Sequence, residues 1–288
     1  MTHSMLGRGM GVAAGVLALA LVCAAAPTSA AGKDILLAPH RAVYEMTLVA
    51  TRGGTGVSAV SGRMVYELTG SVCEGYTQNV RFVTQMTNQG ETMLTDLRSS
   101  SWEEGSGRRF RFNSSQFRDE KPTEATAGDA ARANTADDIK VELTMPAKKG
   151  LSLSARVYFP IQHTIALLQA AKSGKATFRA DLYDGSEKGE KVYDTVSIIG
   201  RHRPRGANRQ LPFVKNVEAL SGLEAWPVSI GYFEPGSDHT DALPVYELSF
   251  LFFENGVSRR LVIDYGEFSI RGDLKEIVFH PPSKCEQK

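Results

Sequence analysis

Residues 139–145 read Ile-Lys-Val-Glu-Leu-Thr-Met, in which apolar and polar side chains alternate strictly. Successive side chains of a β-strand point to opposite sides, so this stretch covers a core with one face and meets water with the other. The alternation recurs in short runs separated by turn residues, among them 42–48, 76–86, 178–182 and 226–232. We therefore predict an all-β protein, a many-stranded antiparallel sheet closed or curled on itself.

One segment has helical rather than strand periodicity. Pro160 suits the first position of a helix, and Ile161, Ile165 and Leu168 recur at helical spacing up to a stop at Gly174. We predict one helix over residues 160–173 and a sheet that wraps around it. Residues 245–253 are apolar on both strand faces and should be covered on both sides, with this helix as the best candidate cover.

Two polar segments are predicted to be loops. Residues 119–137 are rich in Ala, Thr, Asp and Glu with few apolar anchors, which favours a long mobile loop. Residues 201–206 read Arg-His-Arg-Pro-Arg-Gly. This basic segment either touches phosphate or lipid headgroups or is simply a solvated turn.

The N-terminus has the three-part layout of a secretory signal peptide. Arg8 is followed by an apolar run over residues 10–26 and then by small residues, with cleavage sites after Ala30 or Ala31. A membrane anchor is the alternative, but the run is shorter than the ~20 residues that span a bilayer. Cys23 follows Val22, which does not suit a lipidation signal. We predict cleavage of residues 1–31, export to the periplasm, and one domain over 32–288 without a transmembrane anchor.

The charge balance sets the expected partners. Removing residues 1–31 takes away one basic side chain, Arg8, and leaves equal numbers of acidic and basic residues. A neutral chain gives no long-range attraction to nucleic acid or anionic lipid, so nucleic acid is not an expected partner. We expect the partners to be other envelope proteins, envelope lipid or peptidoglycan.

Two cysteines, Cys73 and Cys285, remain after cleavage. An even pair in an oxidising compartment indicates a disulfide, and two unrelated buried thiols are the alternative. A bridge between them would close a very long loop, for which the chain-entropy model gives on the order of 5 kcal/mol of stabilisation.

No catalytic motif is evident. The five histidines beyond residue 31 are scattered, without the spacing of a metal site, and there is no Gly-x-Ser-x-Gly elbow. His163 is either a ligand or base, or a side chain that hydrogen-bonds locally. We predict no cofactor, no metal site and no enzymatic activity.

A sheet curled against a helix can leave an apolar cavity. The residues that we expect to line it are Trp226, Tyr232, Phe250 and Phe252. The alternative is that these four side chains simply fill the core.

Three short motifs carry a family resemblance when they are taken in order. They are Cys73-Glu74-Gly75-Tyr76, Phe159-Pro160-Ile161-Gln162-His163-Thr164 and Asp181-Leu182-Tyr183-Asp184-Gly185-Ser186, with Cys285 near the end of the chain. Over residues 36–288 the chain resembles the EipB family of periplasmic envelope proteins. The resemblance implies a spiral, broken β-barrel wound around one helix. The motif at the start of this helix contains Pro160, His163 and Thr164. The resemblance also implies a Cys73–Cys285 disulfide and a role in envelope maintenance without an assigned enzymatic activity.

Three functions follow from these observations. The first is a non-catalytic periplasmic protein that maintains envelope integrity by scaffolding or by binding an envelope component. The alternative is a periplasmic carrier of a lipid or another apolar ligand. A hydrolase of cell wall or lipid is a second alternative, supported only by location.

Overall fold

Antiparallel strands form one continuous sheet in the part of the chain that the structure describes. The structure is a computed structural model, and it describes residues 35–54, 56–207, 214–236, 242–281 and 283. The strands are β1 (His40–Thr51), β2 (Val57–Ser71), β3 (Gly75–Asn88), β4 (Glu91–Glu103), β5 (Arg109–Arg118), β6 (Lys121–Ala131), β7 (Ile139–Met145), β8 (Lys149–Leu153), β9 (Thr177–Leu182), β10 (Tyr193–Ile199), β11 (Ala225–Phe233), β12 (Tyr246–Phe253), β13 (Ser258–Asp264) and β14 (Phe268–Phe279). The helices are α1 (Pro160–Lys172), α2 (Glu218–Ser221) and a 3₁₀ turn at Glu187–Gly189.

The sheet is an unclosed barrel. Successive strands pair from β1 to β8 and from β9 to β14, and β14 pairs with β1 to join the two runs. In the described chain β8 and β9 are left as edges. Tyr158, in the segment that follows β8, forms an isolated parallel bridge with the end of β9: its N–H donates to Asp181 O at 2.8 Å and its O accepts from Tyr183 N–H at 3.0 Å. The predicted broken barrel is confirmed.

Helix α1 lies on one face of this sheet, which we call the inner face. Pro160 occupies the first turn, and the helix ends before Gly174, whose φ of 76° favours glycine. Lys172 pairs with Glu254 at 3.4 Å, and alternation along β12 puts Glu254 on the same face as Phe252. The predicted helix over 160–173 is confirmed, and the sheet is wound around it.

Two groups of buried side chains form the interior. The larger group joins α1 to the strands on both sides of it, and its largest fully buried members are Tyr76, Phe253, Met46, Leu68, Ile161, Leu167, Leu168 and Leu220. The smaller group consists of Phe110, Phe112, Ala130, Ile139, Val141, Leu143, Val157, Phe159 and Tyr183. The alternation of residues 139–145 therefore covers the smaller core, with Ile139, Val141 and Leu143 all buried.

The prediction of a mobile loop over residues 119–137 is wrong. Residues 121–131 form β6, which pairs with β5 across a tight turn at Asp119 and Glu120. The inward side chains of β6 are small because the Phe112 ring already fills the space: a Cβ at Gly128 would lie 2.8 Å from Phe112 Cζ. Low hydropathy therefore reflects close packing against a large neighbour and not a loop.

The prediction that residues 245–253 are covered on both sides is correct only for the second half. Phe250, Leu251, Phe252 and Phe253 are each less than 10% exposed, whereas Val245 is 40% exposed. Helix α1 is not the whole cover. Residues 214–224 add buried Val214 and Leu220 to the same core, and Lys215 bridges to β14 at Glu276. This short segment has no periodic pattern of apolar residues from which it could have been predicted.

Candidate functional site

The motif that opens α1 has structural roles. Thr164 donates its hydroxyl to Pro160 O at 2.8 Å. Thr195 donates its own hydroxyl to Ala180 O at 2.7 Å, so His163 Nε2, 3.1 Å from Thr195 Oγ1, must carry the proton and donate. Burial lowers the pKa of His163 to about 4, which keeps the ring neutral. Of the two interpretations of His163, the geometry therefore favours a local hydrogen bond.

A buried glutamate side chain that the sequence did not predict caps the same helix. Glu103, 1% exposed at the end of β4, accepts the backbone N–H of Ile161 at 2.7 Å and of Gln162 at 2.9 Å. Burial raises the pKa of Glu103 to about 8, opposed by these hydrogen bonds and by Arg132. No local pattern could have found this contact, because Glu103 and α1 are distant in sequence.

The four aromatic residues predicted to line a cavity lie together on the inner face. Trp226 pairs with Phe252, and Tyr232 stacks on Tyr246 with centroids 4.3 Å apart. Trp226, Tyr232, Phe250 and Phe252 are 4%, 8%, 9% and 3% exposed, and they belong to the same buried cluster as the apolar side chains of α1. The interior around these four residues is packed. Phe250 also borders a shallow cavity beside Pro227 and Arg260, and Trp226 borders an open cavity near α1.

That cavity lies at the C-terminal end of α1 and has a volume of about 610 Å³. It is lined by Ala171, Lys172, Gly174, Lys175, Ala176, Ile199, Gly200, Arg201, His202, Glu224 and Trp226. The His202 ring lies 5.1 Å from the Trp226 ring, inclined by 32°. The structure therefore joins two features that the sequence showed separately, the basic segment 201–206 and the aromatic residue at the start of β11. We call this site the α1-end cavity.

The α1-end cavity has more basic than acidic groups. His202 lies 3.5 Å from Glu224, and Lys172 is paired with Glu254, which also binds Arg205 at 2.7 Å. Lys175 and Arg201 form no ion pair with any described residue.

The basic side chains and the Trp226 and His202 rings decide which ligand the α1-end cavity can bind. Lys172 and Lys175 lie near the C-terminal carbonyls of α1, which attract cations. Arg201 comes from another segment, so the helix end does not account for its position. Cations that have no ion pair among the described residues, beside an aromatic surface, suit an anion with a flat or apolar portion.

The described residues include one cysteine of the predicted disulfide and none of the predicted signal peptide. Cys73 lies in the turn between β2 and β3. Cys285, Ala30 and Ala31 lie outside the described residues. The described chain approaches its C-terminus beside β1 and β2, where His280 N–H donates to Pro39 O at 2.9 Å and His280 Nε2 is 3.1 Å from Glu67 Oε1. Both the Cys73–Cys285 bridge and the cleavage of residues 1–31 remain predictions.

Within the described residues no three His, Cys, Asp or Glu side chains are grouped closely enough to hold a metal ion. None of the described helices has the length and hydropathy needed to cross a membrane.

Comparison with known proteins places the chain in a family. The family model for EipB-like proteins matches residues 31–281. The chain belongs to the EipB-like family. This EipB-like chain is 33% identical over 260 residues to the cell envelope integrity protein EipB of Brucella abortus (strain 2308), covering 90% of both chains.

A solved structure shares the fold. It is the crystal structure of a beta-barrel-like protein of a domain of unknown function, DUF1849, from Brucella abortus. The two structures superpose with a TM-score of 0.77 at 32% identity, over 86% of this EipB-like chain and 100% of the other. The family resemblance inferred from the three short motifs is confirmed.

Proposed function

We propose that this EipB-like chain maintains the integrity of the cell envelope as a non-catalytic periplasmic protein that binds an envelope component. Its relative from Brucella abortus is named for envelope integrity and covers 90% of the chain. The signal-peptide layout of residues 1–31 supports a periplasmic location. Other envelope proteins and envelope lipid or peptidoglycan are the proposed partners.

The observation that carries the binding role is the α1-end cavity. Lys175 and Arg201 line it without an ion pair among the described residues, and Trp226 and His202 provide ring surface beside them. Charged groups that are not used for internal pairing remain available to a ligand. The expected ligand combines negative charge with a sugar ring or a short apolar portion, as many envelope molecules do.

The packed interior argues against carriage of an apolar ligand between α1 and the sheet. A carrier needs space between the helix and the inner face, but Leu167, Leu168 and Phe252 are each at most 3% exposed and belong to one cluster. Displacing such side chains would cost several kcal/mol. The binding role is therefore assigned to the α1-end cavity and not to the interior.

The test is complementation of a deletion strain under detergent or cell-wall antibiotic stress. We expect wild-type protein to restore growth, whereas K175E/R201E, which reverses the charge of the α1-end cavity, restores it poorly. The matched control is K121E/K148E, which reverses two exposed lysines, one at the start of β6 and one just before β8. Both variants should reach wild-type levels in the periplasm with an unchanged melting temperature.

Full rescue by K175E/R201E would contradict the role of the cavity. Wild-type resistance of the deletion strain itself would contradict the envelope function as a whole. A bound apolar molecule found by native mass spectrometry in repeated preparations would instead support the carrier function.

A further inference from the structure

A second basic site lies on the outer face of the sheet, away from α1. A cavity of about 510 Å³ is lined there by Ser61, Gly62, Arg63, Val65, Arg81, Val83, Gln85 and Leu94. A neighbouring cavity of about 340 Å³ shares Arg81, Val83 and Leu94 with it and extends to Asp96, Arg98, Phe117 and Glu120. We call the two together the arginine groove. None of its lining residues belongs to the α1-end cavity.

Strand register gives the groove an alternating pattern of charge and apolar surface. Val65 on β2 lies opposite Arg81 on β3, and Arg63 lies opposite Val83. Directly paired residues share a face, so Arg63 and Arg81 are diagonal neighbours, about 7–8 Å apart at the backbone. Two guanidinium groups at this spacing can bind the same small anion.

The arginine groove has a surplus of positive charge. Arg81 and Arg98 face each other across β3 and β4, an unfavourable pair of like charges unless an anion lies between them. Asp96, 9% exposed, supplies one carboxylate for both: Arg81 donates to its two oxygens at 3.1 and 2.9 Å, and Arg98 Nη2 donates at 2.7 Å. These arginines lower the pKa of Asp96, which stays ionised. Asp96 carries one negative charge for these two arginines, and with Glu120 the groove has three arginines, Arg63 included, for two carboxylates.

Arg63 adds to this surplus. It lies opposite Glu45 on β1, whose carboxylate pairs mainly with Lys275 at 2.9 Å and interacts more weakly with Arg63. No acidic residue lines the larger cavity. Although the exported chain is neutral as a whole, this patch is locally cationic.

Apolar surface lies between the arginines. Val65 and Val83 are half-buried and Leu94 is 37% exposed, while the Arg98 guanidinium lies 4.8 Å from the centre of the Phe117 ring. The planar guanidinium fork matches the oxygens of a phosphate, and the valine and leucine side chains suit the first carbons of an acyl chain. We propose that the arginine groove binds the phosphate headgroup of an anionic phospholipid.

The arginine groove is independent of the α1-end cavity on which the proposed function rests. It can be tested with a short-chain lipid used below its critical micelle concentration. Dihexanoyl-phosphatidylglycerol is titrated into the mature protein by calorimetry, with dihexanoyl-phosphatidylcholine and inorganic phosphate as parallel arms. We expect saturable binding of phosphatidylglycerol that is tighter than binding of either other probe. Inorganic phosphate binding as tightly as the lipid would overturn the lipid assignment.

The variant R63Q/R81Q removes both guanidiniums of the larger cavity and leaves Arg98 to neutralise Asp96, so that the fold is kept. We expect it to weaken phosphatidylglycerol binding by at least about tenfold, which corresponds to about 1.4 kcal/mol. The matched control R109Q/R111Q removes two exposed outer-face charges from β5 and should bind like wild type.

The K175E/R201E variant separates this proposal from the one made for the α1-end cavity. It should bind phosphatidylglycerol like wild type. If K175E/R201E abolished binding while R63Q/R81Q left it unchanged, the lipid would occupy the other site and the arginine groove would be ruled out. Absence of saturable binding to wild-type protein would overturn the proposal as well.

Discussion

Strands β11 and β3 carry the same apolar alternation on their inner faces but lie in different surroundings. On β11, which belongs to the α1-covered half of the sheet (β9–β14), Trp226, Val228 and Ile230 are each at most 4% exposed. On β3, which belongs to the hairpin half (β2–β6), only the first two residues, Gly75 and Tyr76, are buried, and Val80 and Phe82 are half-exposed. Alternation thus identifies strands in both halves, while burial depends on what packs against them.

In both halves the residues that form the core differ from those that line the candidate binding site. The α1-covered half places its aromatic side chains in the core and has its binding candidate at the end of the helix. The hairpin half carries its binding candidate, the arginine groove, on the opposite face of partly exposed strands. Substitutions in the two halves should therefore differ in their effect on the free energy of unfolding.

The largest expected effect is the loss of a core side chain beneath the sheet. Leu168 of α1 is 0% exposed, and Leu168→Ala should lower the free energy of unfolding by about 2–5 kcal/mol because it leaves a cavity. Phe82→Ala, a larger truncation on half-exposed β3, should cost less. Chemical denaturation of both variants measures this contrast, and a greater loss for Phe82→Ala would break the comparison between the two halves.

The next effect concerns the tether of the hairpin half. If Cys73 is bridged to Cys285, Cys73→Ser should lower the free energy of unfolding by about 2–4 kcal/mol, and Cys285→Ser should lower it equally. The double variant should be no less stable than either single variant. Thermal melts with and without reductant measure this, and a wild-type melting temperature insensitive to reductant would count against the bridge.

The contact between β4 and α1 should make stability depend on pH. The pKa of Glu103 is about 8 in the folded protein and near 4.5 when exposed, so the folded state holds a proton that the unfolded state has lost between these values. Stability should therefore fall as pH rises through this window, by at most about 1.4 kcal/mol per pH unit. Glu103→Gln should remove this slope.

Comparing wild-type protein with Glu103→Gln separates the pH dependence caused by Glu103 from that caused by His163. His163 has a folded pKa of about 4 against 6.5 when exposed, so its contribution to stability is lost as pH falls from 6.5 towards 4. This opposite slope is present in both proteins and cancels in their difference. Urea unfolding from pH 5 to 9 gives the difference directly, and parallel profiles would show that Glu103 ionises normally.

The smallest expected effect tests the β6 strand that the sequence did not reveal. Thr126 is 0% exposed and its hydroxyl has no hydrogen-bond partner among the described residues. Thr126→Val should raise the free energy of unfolding by about 1 kcal/mol, since an unpaired buried polar group is removed without a change of shape. Thr195→Val is the control and should be destabilising, because Thr195 bonds both Ala180 and His163.

The sequence predicted those parts of the fold that have a local periodic signal. Residues 139–145 alternate because β7 faces the smaller core, and residues 160–173 repeat at helical spacing because α1 presents one side to the sheet. Strand β6 was missed because its inward positions, Thr126, Gly128 and Ala130, are small where the Phe112 ring approaches. Hydropathy measures how favourably each side chain leaves water and takes no account of its neighbours.

The candidate sites were less predictable because each depends on strands that are distant in sequence. The basic segment 201–206 and Trp226 were both noticed, but only the pairing of β10 with β11 next to the end of α1 brings them together. Arg63, Arg81 and Arg98 occupy solvent-facing positions on three neighbouring strands, β2, β3 and β4. The alternation within each strand does not show that these three residues form one groove. Register between strands is what the sequence alone did not supply.

Hydrogen exchange, followed by mass spectrometry, tests most directly whether the α1-covered strands are more tightly packed than the distal parts of the first hairpin strands. The account predicts the slowest exchange in α1, β11 and the second half of β12, and faster exchange in the distal parts of β2, β3 and β4. Equal protection across both halves, or rapid exchange within α1, would contradict it.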